Sequence, residues 1–219
     1  KNSPRISFTV REGEILGFAG MVGSGRTEMM RALIGADARF GGEIRIHGKP
    51  VTIRNPQDSI EHGFAFITED RQKLGLALGL SVLENTTVVG MRNVIPGAFV
   101  NIRKHPPLIR SVVQELHIKT PSVWSEVRYL SGGNQQKVVL AKWLFANQEI
   151  YIFDEPTRGI DVNAKAEFYR QMSELTKQGK CILMVRSDMP ELISMSDRVM
   201  VVRDGAICGE KTGAPINEQ

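Results

Sequence analysis

The stretch EILGFAGMVGSGRTEMMRALIGA, Glu14 to Ala36, decides how the chain is read. Its first half is a short, mostly apolar run, as a buried strand requires, and its last part carries Met29, Met30, Leu33 and Ile34 at helical spacing. Between them lies Gly20-Met21-Val22-Gly23-Ser24-Gly25-Arg26-Thr27, the glycine spacing of a phosphate loop with arginine at the lysine position. Glycines there let successive backbone N–H groups converge, and the following helix points its positive end, roughly half a charge, at an anion. Strand, loop and helix therefore predict a nucleotide-phosphate site with Thr27 as a hydroxyl ligand for Mg²⁺. Met29 and Met30 are predicted to be core residues.

Working outward, 219 residues with 42% apolar and 24% charged side chains suit a packed globular chain, here one domain with an insertion. No apolar run approaches the ~18 residues that span a bilayer. The net charge of +4 is spread among acids along the chain, which fits a solvated surface better than a nucleic-acid site. The four histidines form no ligand cluster, Trp124 and Trp143 are expected to pack, and Cys181 and Cys208 are expected to be reduced and buried.

Alternation of strand-like and helix-like segments predicts an α/β fold with a mainly parallel sheet, helices on both faces, and loops of interest at the strands' carboxyl ends. GGEIRIHGKPVTI reads as an antiparallel hairpin, PQDSIEHG as a short helix begun by Pro56, and FAFIT as a strand. From residue 71 to 128 helices dominate, with SVLENTTVV and PPLIRSVVQELHI separated by IPGAFVNIRKH. The predicted division is a core of 1–70 and 129–219 with an inserted helical subdomain at 71–128.

Two further segments carry chemistry. In IYIFDEPTRGID the apolar residues to Phe153 place Asp154 and Glu155 at a strand end, where Asp154 would hold magnesium and Glu155 would polarise a water. In LSGGNQQK, Ser131, Gly132 and Gly133 precede a helix and form a second anion nest. One chain with two nests is explained if the second closes on a nucleotide held by another domain.

In this order and spacing, GMVGSGRT, LSGGNQQK and IFDEPTRGID resemble the Walker A loop, signature, Walker B strand and D-loop of an ATP-binding-cassette (ABC) ATPase, a P-loop NTPase fold. The resemblance covers essentially the whole chain. GEILGFAGMVGSGRTEMM, ITEDR, SGGNQQKVVLAKWL and DEPTRGIDVNAKAEFY are similar, more narrowly, to the second cassette of tandem ATPase subunits in monosaccharide importers of the ribose, galactose and allose type.

The resemblance implies ATP and Mg²⁺ as ligands, with Gly20, Gly23, Ser24, Gly25, Arg26 and Thr27 on the phosphates. Ser131, Gly132, Gly133, Asn134 and Gln135 would form the signature, Asp154 and Glu155 would serve magnesium and water, and Asp161 would lie in the D-loop. Glu69 stands at the glutamine that senses magnesium and the membrane partner, and Ser187 at the switch histidine. With Arg26 at the lysine, these departures imply weak hydrolysis at the chain's own loop.

Implied partners are a first cassette of the same subunit, transmembrane permease subunits and, indirectly, a periplasmic sugar-binding protein. No nucleic acid is implied, and the expected place is the cytoplasmic face of a bacterial inner membrane. The adenine-stacking aromatic would fall before Lys1 and a last helix after the final residues, as in an excised domain. A catalytically silent regulatory cassette is the alternative. A DNA-repair or translation type would call for a long coiled-coil insertion or basic arm, and the sequence has neither.

Overall fold

A computed structural model describes residues 6–91 and 107–212. The chain divides into two compact units, one of 1–66, 149–155 and 172–219, the other of 67–148 and 156–171. The segment 71–128 lies within the second, which also takes in the signature helix.

The first unit is built on a sheet ordered β4-β5-β6-β1-β7-β8, from Phe64–Ile67, Ile150–Asp154, Cys181–Val185, Ile15–Ala19, Arg198–Arg203 and Ala206–Thr212. β5, β6, β1 and β7 run parallel, and β8 returns antiparallel through the turn at Asp204 and Gly205. All five residues of β1 are buried, which is why its sequence is continuously apolar rather than alternating. Leu16, Phe18, Met30, Ile152, Leu183 and Met200 form the centre of the core, with Met29 and Leu33 packed on it. The methionines of α1 (Arg26–Leu33) are thus core residues. The predicted hairpin is β2 (Ile44–Ile46) with β3 (Lys49–Val51), and Asn55 caps α2 (Pro56–Glu61) by accepting from the Asp58 N–H at 3.0 Å.

Register fixes where the loops emerge. Val185 on β6 is level with Phe18 on β1 and with Asp154 on β5. The phosphate loop, the carboxylates after β5 and the loop after Val185 therefore leave the sheet at one edge.

The described residues of the second unit are mainly helical. α3 (Val82–Thr87) begins with a capping box in which Ser81 and Glu84 satisfy each other's backbone amides. α4 (Pro107–Glu115) and α5 (Gly132–Ala146) follow, with Val82, Leu83, Ile109, Leu116, Val139 and Leu140 buried. Close approach of α5 depends on Gly90, where a Cβ would lie 2.8 Å from Ala146 Cα. A single π-helical turn spans Arg71–Gly75, and α6 (Val162–Lys177) runs from the second unit into the first. α7 (Met189–Met195) packs on β1.

Three expectations change. Cys181 is only half-buried at the start of β6 and Cys208 is exposed on the edge strand β8, both as free thiols. Trp143 is buried, whereas Trp124 is 44% exposed in the loop before the signature. IPGAFVNIRKH and His105 lie outside the described residues. No described helix is long and apolar enough to cross a membrane.

Candidate nucleotide site

In the first unit the phosphate loop is shaped by its glycines. A Cβ on Gly20 would sit 2.5 Å from both Ser24 Oγ and the Val202 carbonyl oxygen, so only glycine fits there. Gly23 (φ 80°) and Gly25 (φ 94°) take left-handed backbone, and Gly25 is the N-cap of α1 with no side-chain cap. The first amides of the helix are therefore left for an anion. The buried Ser24 Oγ has no partner among the described residues, a further donor at the loop. Gly205 donates its amide to the Ser24 carbonyl at 2.8 Å, seating the loop on the β7–β8 turn.

Arg26, first residue of α1, is only 6% exposed. Its Nη1 donates to the Arg186 carbonyl at 2.6 Å and its Nη2 to Ser187 Oγ at 3.3 Å. The guanidinium is engaged with the loop after β6. Its length explains this reach, which a compact ammonium on a flexible stem would not reproduce.

Thr27 Oγ1 donates to Asp154 Oδ1 at 3.0 Å. Asp154 is buried, and burial pushes its pKa up from 3.8 to about 6 against the opposing Thr27 bond, with Glu155 adding to the rise. A buried carboxylate beside a hydroxyl, both oxygen donors, fits Mg²⁺, which takes one or two protein oxygens and completes its shell with water and phosphate. No cluster of three His, Cys, Asp or Glu suited to a metal occurs among the described residues. The fit thus rests on the Thr27–Asp154 pair.

Glu155 holds a left-handed backbone at φ 48°, a strained state for a non-glycine residue. Its amide donates to the Val185 carbonyl at 3.0 Å. Ser187 donates its hydroxyl to Oε1, and Arg186 Nη1 donates to Oε2 at 3.2 Å. Arg186 in turn gives Nε and Nη2 to Glu191 at 2.8 and 2.5 Å. Ser187, which stands at the switch-histidine position, links Arg26 to Glu155. Arg186 was not anticipated; the signal available in MVRSDMPE was an arginine directly after an apolar strand.

The second unit holds the other nest. Ser131 is the N-cap of α5, accepting from the Asn134 amide at 3.5 Å and from Asn134 Nδ2 at 2.9 Å. Asn134 Oδ1 accepts from the Lys119 N–H at 2.8 Å, so the signature asparagine supports the cap rather than standing free. A Cβ on Gly132 would meet Arg71 Nη2 at 2.5 Å, and one on Gly133 would lie 3.5 Å from Asp161 Oδ2. Asp161 caps α6 by accepting from the Ala164 amide at 2.9 Å. Gln135 is 3% exposed and faces inward, accepting from Gln72 Nε2 at 3.2 Å and donating to the Val127 carbonyl at 3.2 Å. Its Oε1 also accepts from Arg71 Nε at 3.4 Å, the same guanidinium that borders Gly132, so Gln135 supports the nest from beneath. Glu69 is ion-paired to Arg158.

A family model described as ABC transporter matches residues 4–158 of the chain. The chain belongs to the ABC transporter family. This cassette is 47% identical to the Bacillus subtilis ribose import ATP-binding protein RbsA over 94% of its own length and 42% of the relative's. It is 48% identical, over 98% of its length, to a Burkholderia ambifaria protein provisionally named ribose/galactose/methyl galactoside import ATP-binding protein 3, again covering 42% of the relative. The cassette thus spans less than half the length of these curated relatives. An ATP-binding cassette solved as a dimer in a post-hydrolysis state with ADP and Pi superposes with a TM-score of 0.80 at 20% identity, over 98% of this chain and 90% of that one. A nucleotide-free ATP-binding cassette from an ABC transporter gives 0.77 over 95% and 84%. The P-loop ABC fold, with its mainly parallel sheet, is therefore that of the chain.

Proposed function

We propose that this chain is the second, C-terminal ATP-binding cassette of a sugar importer's tandem ATPase subunit, and that its larger catalytic contribution is made in trans. The names of relatives at 47% and 48% identity, and the 42% share of their length, support a cassette drawn from a two-cassette subunit. One observation carries the reading: the Ser131 nest is built and capped, while Arg26 and Glu155 at the cassette's own loop are occupied by Arg186 and Ser187.

In this reading Ser24, the loop amides and Gly20, Gly23 and Gly25 cradle the phosphates of ATP, and Thr27 and Asp154 hold Mg²⁺. The metal supplies charge neutralisation on the phosphate oxygens. Hydrolysis joins a water oxygen to the γ-phosphorus as the bond to the bridging oxygen breaks, giving ADP and phosphate, and the water's proton leaves toward Glu155. Ser131, Gly132 and Gly133, held by Asn134, clamp the ATP of the first cassette. Glu69 and the segment 71–128, the inserted subdomain, dock on transmembrane permease subunits at the cytoplasmic face of the inner membrane, fed by a periplasmic sugar-binding protein. Cassette closure then drives transport.

ATPase measurements on the full-length subunit test this. Ser131→Arg is expected to lower turnover by about 100-fold or more, as loss of transition-state stabilisation does, and Glu155→Gln much less. An unaffected Ser131→Arg enzyme overturns the trans role. The Arg186–Glu155 contact also favours a second reading, a silent regulatory cassette; it predicts ATP-dependent association of cassettes with no phosphate release at either site.

A further inference from the structure

We propose that Arg186 is a positioning residue that holds Glu155 away from the attacking water, so that this cassette's own site retains ATP instead of turning it over. The inference rests on the reading of Glu155 as the water-polarising carboxylate.

A carboxylate aligns water through an open lone pair directed at it. Here one lone pair on each oxygen is committed to the loop after β6, which fixes how the carboxylate is turned: Oε1 accepts from Ser187 and Oε2 from Arg186 Nη1 at 3.2 Å. The second bond joins a cation to an anion and is the stronger of the two restraints on the carboxylate. Arg186 cannot wander. Its Nε and Nη2 are fixed on Glu191 Oε2 at 2.8 and 2.5 Å, and the Glu191 amide is itself held by Asp188 Oδ1 at 3.0 Å in the first turn of α7.

The side chains of Arg186, Glu155 and Glu191 are 7%, 11% and 13% exposed. An arginine this buried at the end of an apolar strand is tolerated only when paired, and here Glu155 and Glu191 together supply the pairing. The Arg186 carbonyl also accepts from Arg26 Nη1 at 2.6 Å. One residue thus restrains the water-polarising group through its side chain and the phosphate-loop cation through its backbone.

The test uses the full-length subunit in a Ser131→Arg background, where the composite site is disabled and residual turnover reports this cassette's own loop. Arg186→Met and Arg186→Gln are expected to raise residual kcat by about threefold to tenfold, a part of the range a released general base supplies. KM and the affinity for trinitrophenyl-ATP should stay within twofold. Adding Glu155→Gln should remove the gain, and Arg186→Lys, which restores a cation, should return the low rate. Unchanged or lower residual turnover in the folded neutral variants, or a gain that survives Glu155→Gln, overturns the proposal. Should the neutral variants not fold, Glu191→Gln leaves Arg186 to Glu155 alone and must lower residual turnover at least twofold; no change or a rise overturns it. Failure of the trans reading is seen separately, as full activity in Ser131→Arg alone.

Discussion

Replacing Asp154 by Asn should stabilise the nucleotide-free chain at neutral pH while removing its response to magnesium. Burial raises the Asp154 pKa from 3.8 to about 6, outweighing the bond from Thr27, so the folded chain keeps this proton to a higher pH than the unfolded one does. Between pH 4 and 6 the folded state binds more protons, and stability therefore falls as pH rises; above 6 the full cost of burying the charge is present. A shift of about two units at ~1.4 kcal/mol each sets that cost near 3 kcal/mol. Asn keeps an oxygen to accept from Thr27 Oγ1 and carries no charge.

The stability difference between Asp154→Asn and the parent should therefore be near zero at pH 4 and grow to about 3 kcal/mol in favour of the variant by pH 7, roughly 6–12 °C in Tm. Urea denaturation across pH 4–8 measures it. Millimolar Mg²⁺ with ATP should then stabilise the parent more than the variant, because only the parent gains a ligand for its buried charge. A difference that is flat with pH, or a variant less stable than the parent at pH 7, refutes the reasoning.

Other outcomes follow from tight packing and buried pairs. Gly25→Ala forces a side chain to φ 94° with Gly205 Cα at 3.0 Å; a loss of about 1–3 kcal/mol in denaturation and weaker ATP binding by fluorescence are expected. Gly132→Ala meets only the flexible tip of Arg71, so stability should change by less than about 1 kcal/mol, yet turnover of the full-length subunit should drop as the guanidinium is displaced from the nest. Glu14→Ala strips a buried partner from Arg198, which also reaches the Thr9 carbonyl at 2.7 Å, and about 3 kcal/mol should be lost in urea.

Much of the fold was legible because its signals are local. Glycine spacing in GMVGSGRT, apolar continuity in IYIFD and CILMV, and Pro56 or Ser131 at helix starts each act within a few residues, and the corresponding elements stand where they were expected. The same reach explains the misses. Whether Trp124 is covered, or Cys181 sealed, depends on which element lies over it, and local sequence does not encode that. The role of Arg186 was invisible for the same reason: although Glu191 lies near it in sequence, Glu155 meets it only after β5 and β6 pair with Asp154 level with Val185. Gln135 was placed at the nest by motif membership; that its side chain is buried on Arg71, Gln72 and the Val127 carbonyl depends on elements far from it in sequence.

The Gly205 amide, bonded to the Ser24 carbonyl, makes the β7–β8 turn a gauge of the phosphate loop. Asp204 and Gly205 both hold positive φ, at 49° and 74°, in the turn that presents this amide. Hydrogen–deuterium exchange at that single amide would then slow when the loop tightens on a nucleotide and quicken when it slackens. Occupancy becomes readable residue by residue, without a label and without waiting for turnover.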